Sequence, residues 1–177
     1  MTEQEALAEL RRIKNAYQTF IRDNFESAAQ DCSTCPTFGA CCTDAHFVNV
    51  HITRLEAVAI KESIENHPNL TAKEKQAVFV RAANAIEKYD LTDAGDTFNQ
   101  TFACPLFVQK IGCLVHLNGA KPAPCIQHAC YENNTDLPPD CLQDSIESKI
   151  EKLNRAVYGE NSRWLPLPIW LNLESLK

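Results

Sequence analysis

Nine cysteines in a chain of 177 residues constrain this sequence more than any other feature. The N-terminus, MTEQEALAELRRIKNAY, places acidic residues ahead of basic ones and contains no apolar segment, unlike a secretory signal peptide. No stretch approaches the roughly 20 apolar residues of a membrane-spanning helix. The expected compartment is therefore the cytosol, with no membrane partner. Structural disulfides are rare there, and an odd cysteine count leaves at least one thiol that cannot pair internally. Thiols this dense in a reducing compartment point to metal binding or redox chemistry. Disulfides are also not needed for folding, because a chain of this length buries a sufficient core in a single domain.

The cysteines fall into two groups. Cys32, Cys35, Cys41 and Cys42 lie in a stretch that also holds Pro36 and Gly39. Cys104, Cys113, Cys125 and Cys130 are separated by gaps of 8, 11 and 4 residues, among Pro105, Gly112, Gly119, Pro122 and Pro124. Turn residues of this kind suit backbone wrapped around a metal. Cys32-x2-Cys35 is a common ligand spacing, although the same spacing serves thiol–disulfide exchange. An exchange motif belongs at a helix N-terminus after a strand, whereas Cys32 follows a helical pattern. The vicinal pair Cys41–Cys42 is more informative. In extended chain neighbouring side chains point in opposed directions, so the pair serves two sites, contributes one ligand and one core residue, or meets the differently placed irons of a cluster.

The regions between the groups read as helices. Leu7, Leu10, Ile13, Tyr17, Phe20, Ile21 and Phe25 recur at helical spacing, predicting a helix over Glu3 to Ala28. Phe47 to Ile52 alternates as a short strand. Thr53 with Glu56, and Thr71 with Glu74, are capping-box pairs that open helices running to about Asn66 and Tyr89. Together they predict a helical hairpin, residues 53–89, inserted between the cysteine groups. Asp140 is placed to cap a helix from about Leu142 to Tyr158, closed by Gly159. The tail WLPLPIWLNL is too interrupted by proline for a long helix.

The fold expected is mainly α: one domain of about four helices over residues 1–177, with two cysteine-rich loop regions converging on a metal centre. Its core motif spans 32–130 and its C-terminal helix and tail span 142–177. A net charge of −6 argues against a nucleic-acid surface. There is no GxGxxG, P-loop or HExxH, so nucleotide and zinc-hydrolase chemistry have no support. Among the five histidines, His116 and His128 lie inside the second group and are candidates to ligate or to orient a thiolate. His46 and His51 are weaker candidates, and His67 reads as a helix-end residue. Trp164 and Trp170 read as core packing before partner surface.

The order CxxC…CC, then CP-x-[LF], C-x-[VI]-x, a basic residue with Pro, and C-x4-C resembles the YkgJ-like family of zinc- or iron-chelating domain proteins. The matching pieces are Cys32, Cys35, Cys41, Cys42, Cys104–Pro105, Cys113, Lys121–Pro122, Cys125 and Cys130. The gap between Cys35 and Cys41 is longer than in the compact family pattern. Lys121 stands where Arg is usual, and His116 where an aromatic residue is frequent. The resemblance implies chelation more than any activity. Some relatives carry the domain in a flagellin lysine methylase, an activity not assigned to this short chain.

Eight thiolates suffice for two closed four-cysteine zinc sites, which would be structural, or for one or two iron–sulfur clusters. Irregular spacing and the vicinal pair tilt the choice slightly toward iron. The function expected is metal or cluster binding, in metal handling or as an accessory factor. Its alternatives are an iron–sulfur electron carrier or oxidoreductase, and a zinc-stabilised module that grips a protein partner. Cys141 has no assigned role.

Overall fold

Helix α1, Glu3–Asn24, starts where the Thr2 hydroxyl accepts from Glu5 N and the Glu5 carboxylate accepts from Thr2 N. The computed structural model of the protein describes residues 1–31, 34–46, 48–116, 118–159 and 163–176. One face of α1 buries Leu7, Leu10, Tyr17 and Ile21, as their spacing requires. The helix stops four residues short of the expected Ala28. Phe25 leaves the helical region, with φ −130°, and Asn24 turns its amide back to the Phe20 carbonyl at 2.8 Å. A 3₁₀ turn, Glu26–Ala28, follows.

Short elements and two longer helices come next. Helix α2 is Ala40–Thr43 and strand β1 is His51–Ile52. Helix α3, Arg54–Glu65, and helix α4, Ala72–Lys88, both carry the capping boxes read from the sequence. Strands β2, Phe107–Val108, and β3, Gly112–Cys113, form an antiparallel hairpin. Helix α5, Ala123–Gln127, precedes a further 3₁₀ turn, Asn134–Asp136.

Helix α6, Asp140–Tyr158, begins two residues earlier than expected. Pro139 takes the capping position without a side-chain bond, and Asp140 is the first helical residue. Gly159 closes the helix with φ 82°. Strand β4, Leu165–Pro166, pairs antiparallel with β1, His51 opposite Pro166. Only the last two residues of the expected 47–52 strand are paired, and Phe47 lies outside the described residues. The proline-rich tail forms a nine-residue helix, α7, Leu167–Ser175. Its two prolines fall at the cap and in the first turn, where a missing N–H costs nothing.

The chain is thus mainly helical, as expected, and four of its helices, α1, α3, α4 and α6, are twelve residues or longer. The expected hairpin of α3 on α4 differs in one respect. Both helices pack principally on α7, which lies against each of them.

Helix α3 is the seam of the core. Ala57, Ile60 and Ile64 face a cluster with Val78 and Ala82 of α4, Leu167 and Leu171 of α7, and the loop residues Phe102, Leu106 and Val115. Leu55 and Ala59 face a second cluster with Leu7, Leu10 and Tyr17 of α1, Ala123 and Ile126 of α5, and Ile150 of α6. Burying a side chain of this size is worth roughly 1.5–3 kcal/mol. Cys104 and Cys113 pack on the first cluster, while Cys125 sits on α5, between Ala123 and Ile126 of the second. No helix among the described residues is long and apolar enough to cross a membrane.

Candidate metal centre

The two cysteine groups meet through backbone. Cys104 N donates to the Cys42 carbonyl at 2.7 Å, and Phe102 N donates to the Val48 carbonyl at 2.8 Å. These bonds lay the segment before β2 along the segment after α2.

Within the second group the same turn occurs twice. Phe107 N closes on the Cys104 carbonyl at 3.3 Å, and His116 N closes on the Cys113 carbonyl at 3.2 Å. In each turn the amide two residues on, Leu106 N or Val115 N, lies near the cysteine sulfur and favours its thiolate form. An N–H aimed at sulfur favours the thiolate over the thiol. The hairpin sets Phe107 opposite Cys113, so the turns lie side by side. Its tip needs positive φ at Lys110 (71°) and Gly112 (97°).

The vicinal pair is not in extended chain. Cys41 and Cys42 lie in the single turn of α2, where successive side chains are about 100° apart and not opposed. The turn starts from Gly39 at φ 83°, and a Cβ there would overlap the Phe107 ring. Glycine therefore both permits the turn and lets the hairpin approach it.

Four thiols, Cys42, Cys104, Cys113 and Cys125, form one electrostatic group. Burial pushes Cys42 up to about 12, and the neighbouring Cys41, Cys125 and Cys113 push the same way. Burial also raises Cys125 to about 12, followed by Cys113, with Lys121 and Lys14 opposing. Cys104 is held well above the ordinary thiol range, first by burial and then by Cys125 and Cys113. Burial raises Cys113 against its Val115 N–H and Lys121. The residues keep some solvent contact while their sulfurs sit in dense protein. Such thiols are protonated at neutral pH and make poor nucleophiles.

Among the described residues, no three His, Cys, Asp or Glu side chains are grouped closely enough to hold a metal ion as they stand. The four thiols are neighbours at electrostatic range and not at ligand range. The remaining expected ligands are placed differently. Cys35 has its sulfur 3.5 Å from the Thr37 hydroxyl. Cys130 is exposed, but its carbonyl accepts from Gln30 N at 2.8 Å, beside an Ala29–Tyr131 bridge. That contact runs the chain leading to Cys32 along Cys130; Cys32 itself lies outside the described residues. Cys141 is exposed in the first turn of α6.

The histidines divide. Burial and then Lys121 depress both His116 and His128, which keeps their imidazoles neutral. His51 is buried, with Nδ1 2.7 Å from the Asn49 carbonyl and Nε2 2.9 Å from the Thr97 carbonyl. It stacks on Phe98 and braces a loop. His46 is paired to Asp44 at the surface.

Two cations escaped the sequence reading. Lys14 is fully buried on α1, and its Nζ lies 2.7 Å from Glu56 Oε1, an ion pair without hydrogen-bond alignment. Glu56 Oε2 meanwhile accepts from Thr53 N and Thr53 Oγ1. This pair lies within electrostatic reach of Cys125. The signal was present: Lys14 interrupts the apolar series Leu7, Leu10, Tyr17, Ile21 at a position the spacing makes internal. Arg81 of α4 donates from Nε to the Pro105 carbonyl at 2.9 Å and lies within electrostatic reach of Cys104. Nothing local marks it.

A cavity of about 410 Å³ lies to one side, between α6 and β1, and takes only Pro124 from the cysteine loops. The thiols therefore do not form its wall. No protein-family model, curated protein or solved structure matches this chain.

Proposed function

We propose that this chain is a metal-binding protein in which two cysteine-rich loop regions, carried by the long helices, hold zinc or an iron–sulfur cluster. The observation that carries the reading is the gathering of Cys42, Cys104, Cys113 and Cys125 from three separate segments, with Cys104 and Cys113 in matching backbone turns of one hairpin. The donors are of the right kind, and the thiols would have to draw together to share one ion. Four sulfurs satisfy a tetrahedral zinc ion or a four-cysteine cluster, and buried thiols without an activating base suit ligation better than catalysis. Bound metal would replace the thiol protons and supply folding energy to loops that have little regular structure.

Cys41, Cys35, Cys130 and Cys32 are assigned to the same centre or to a second one beside it, supported by the backbone contact between Gln30 and Cys130. The eight cysteines among the described residues are free thiols, which supports a reducing, cytosolic setting. The motif order remains the ground for grouping the chain with the YkgJ-like family.

The test is metal content after anaerobic purification of the parent, Cys35→Ala and Cys125→Ala. The parent should carry zinc or iron near stoichiometry. Cys125→Ala should lose it together with solubility, and Cys35→Ala should lose part or all. Full metal in both variants would sink a shared thiolate site.

A further inference from the structure

The His51 ring is held between two backbone carbonyls. Nδ1 is 2.7 Å from the Asn49 oxygen and Nε2 is 2.9 Å from the Thr97 oxygen, and the residue is 6% exposed. A carbonyl oxygen accepts and cannot donate. Neutral imidazole carries hydrogen on one nitrogen only, so one of the two contacts would set lone pair against lone pair in a site closed to water. The imidazolium donates at both ends. The geometry is therefore that of the charged ring, imposed by the two acceptors.

The surrounding groups agree. Phe98 stacks on the ring with centroids 4.5 Å apart, and an aromatic face favours a cation. Both residues line the cavity of about 410 Å³, where the charged side chains among the described residues are Asp144, Glu147 and Glu151 of α6, all acidic. Glu151 is paired with Arg155, and Glu147 accepts from Gln143. On the loop side, Asp96 accepts from Phe98 N, and Asp93 is paired with Arg163, next to Trp164 of the cavity wall. Strand β4, paired with β1, brings no charge.

The ring joins β1 to the segment 92–100. Gln100 closes that segment on itself, accepting from Thr92 N and donating to the Thr92 carbonyl. Two exposed ties also hold it, Asn49 Nδ2 donating to the Phe98 carbonyl at 3.3 Å and Arg163 on Asp93. The bond from His51 to Thr97 is buried. The segment supplies the Phe98 wall of the cavity and leads into Phe102 and Cys104.

We propose that His51 is a proton-operated latch on this cavity: the doubly protonated ring ties β1 to segment 92–100, and loss of one ring proton releases one end and lets Phe98 leave the cavity wall. The step is an acid–base exchange with water. One nitrogen gives its proton to solvent, the other keeps its own, and no other covalent bond is made or broken. The latch is closed on the acid side and opens as pH rises. It needs no metal and is independent of the thiol centre.

The full reduced chain is taken from acidic to alkaline pH and followed by long-range ¹H–¹⁵N NMR of the ring and by amide hydrogen exchange. Exchange is read as protection, which removes its intrinsic pH dependence. At the acid end both His51 nitrogens should carry hydrogen. As one proton is lost, protection of residues 94–100 should fall about 10- to 100-fold, the loss of one hydrogen bond from a charged donor, while α3 and α4 keep theirs. His51→Gln carries one side-chain nitrogen and does not titrate, so its segment should be weakly protected at every pH. Glu147→Gln, which alters a titrating neighbour, should move the transition along the pH axis and leave it in place.

A ring with one nitrogen bare while the segment is fully protected would overturn the proposal. So would a pH profile that survives His51→Gln, or one that Glu147→Gln abolishes. If His51→Gln does not fold, the ring spectrum of the parent set against its own protection profile carries the test. Ring deprotonation with protection of 94–100 unchanged is then the contradicting result.

Discussion

The region around α1, α3 and α6 and the region around the thiols bury polar groups in opposite ways. In the helical region, buried Lys14 meets Glu56, Glu56 also serves the Thr53 cap, and Asn154 Oδ1 accepts from Leu55 N at 3.0 Å. These groups are paired within the protein, Lys14 through its ion pair with Glu56 and not through an aligned hydrogen bond. In the thiol region, sulfurs are buried against their own ionisation, and one Arg81 N–H has no acceptor. The regular elements described there are short: a single helical turn, a two-residue-wide hairpin and a short helix. The helical region can therefore be stabilised by apolar burial and internal pairing. In the thiol region, by the proposal above, a bound metal would supply what apolar burial and internal pairing do not.

The strongest way to break this contrast is to remove metal with a chelator and follow amide hydrogen exchange. Residues 34–46 and 104–130 should lose protection, while α1, α3 and α6 keep theirs, because their stability comes from a different source. Uniform loss in both regions would show that they share one.

The next largest effect is expected inside the helical region. Lys14→Met leaves Glu56 buried and unpaired, which should cost about 3–5 kcal/mol in urea unfolding. Adding Glu56→Gln should return part of that loss, since the stranded charge is then gone. An additive double variant would mean that the pair is not coupled.

Gly39→Ala sharpens the other side. The new Cβ meets the Phe107 ring, and φ 83° disfavours any side chain. A cost of about 1–3 kcal/mol is expected, together with weaker metal uptake and unchanged circular dichroism from the helices. Parent-like metal affinity would separate α2 from the centre.

The smallest effect concerns Glu147 of α6, whose pKa is raised first by burial and further by Glu56 and Asp144. The folded state holds its proton more tightly than the unfolded chain. Its contribution is thus fully present below the unfolded value of 4.5 and is lost as pH rises through the folded pKa. Glu147→Gln should be more stable than the parent at pH 7 by under about 1 kcal/mol, after allowing for solvent screening of a half-exposed group. The gain should vanish near pH 4. A gain that grows on acidification would reverse the sign of this account.

Legibility in the sequence follows the same division. Thr53–Glu56 and Thr71–Glu74 were readable because a capping box is a contact within four residues. Helix α7 was not, because Pro166 and Pro168 suggest a break unless packing on α3 and α4 is known. The Cys41–Cys42 pair reads as loop among Pro36 and Gly39, and its helical turn starts from Gly39 against the Phe107 ring, 68 residues further on from that glycine. The thiol set was visible as residue types and spacing. Which four gather, and that Arg81 reaches them from α4, depends on contacts no local pattern encodes. Lys14 was the intermediate case, a charge at a position where helical spacing demanded an apolar side chain.

The central claim is that clustered thiols bind metal, and the most direct measurement is X-ray absorption at the zinc and iron edges on anaerobically purified protein, with stoichiometry per chain. The account predicts near-stoichiometric zinc or iron whose first shell is dominated by sulfur. A chain without bound metal, or a metal surrounded by oxygen and nitrogen alone, would contradict it.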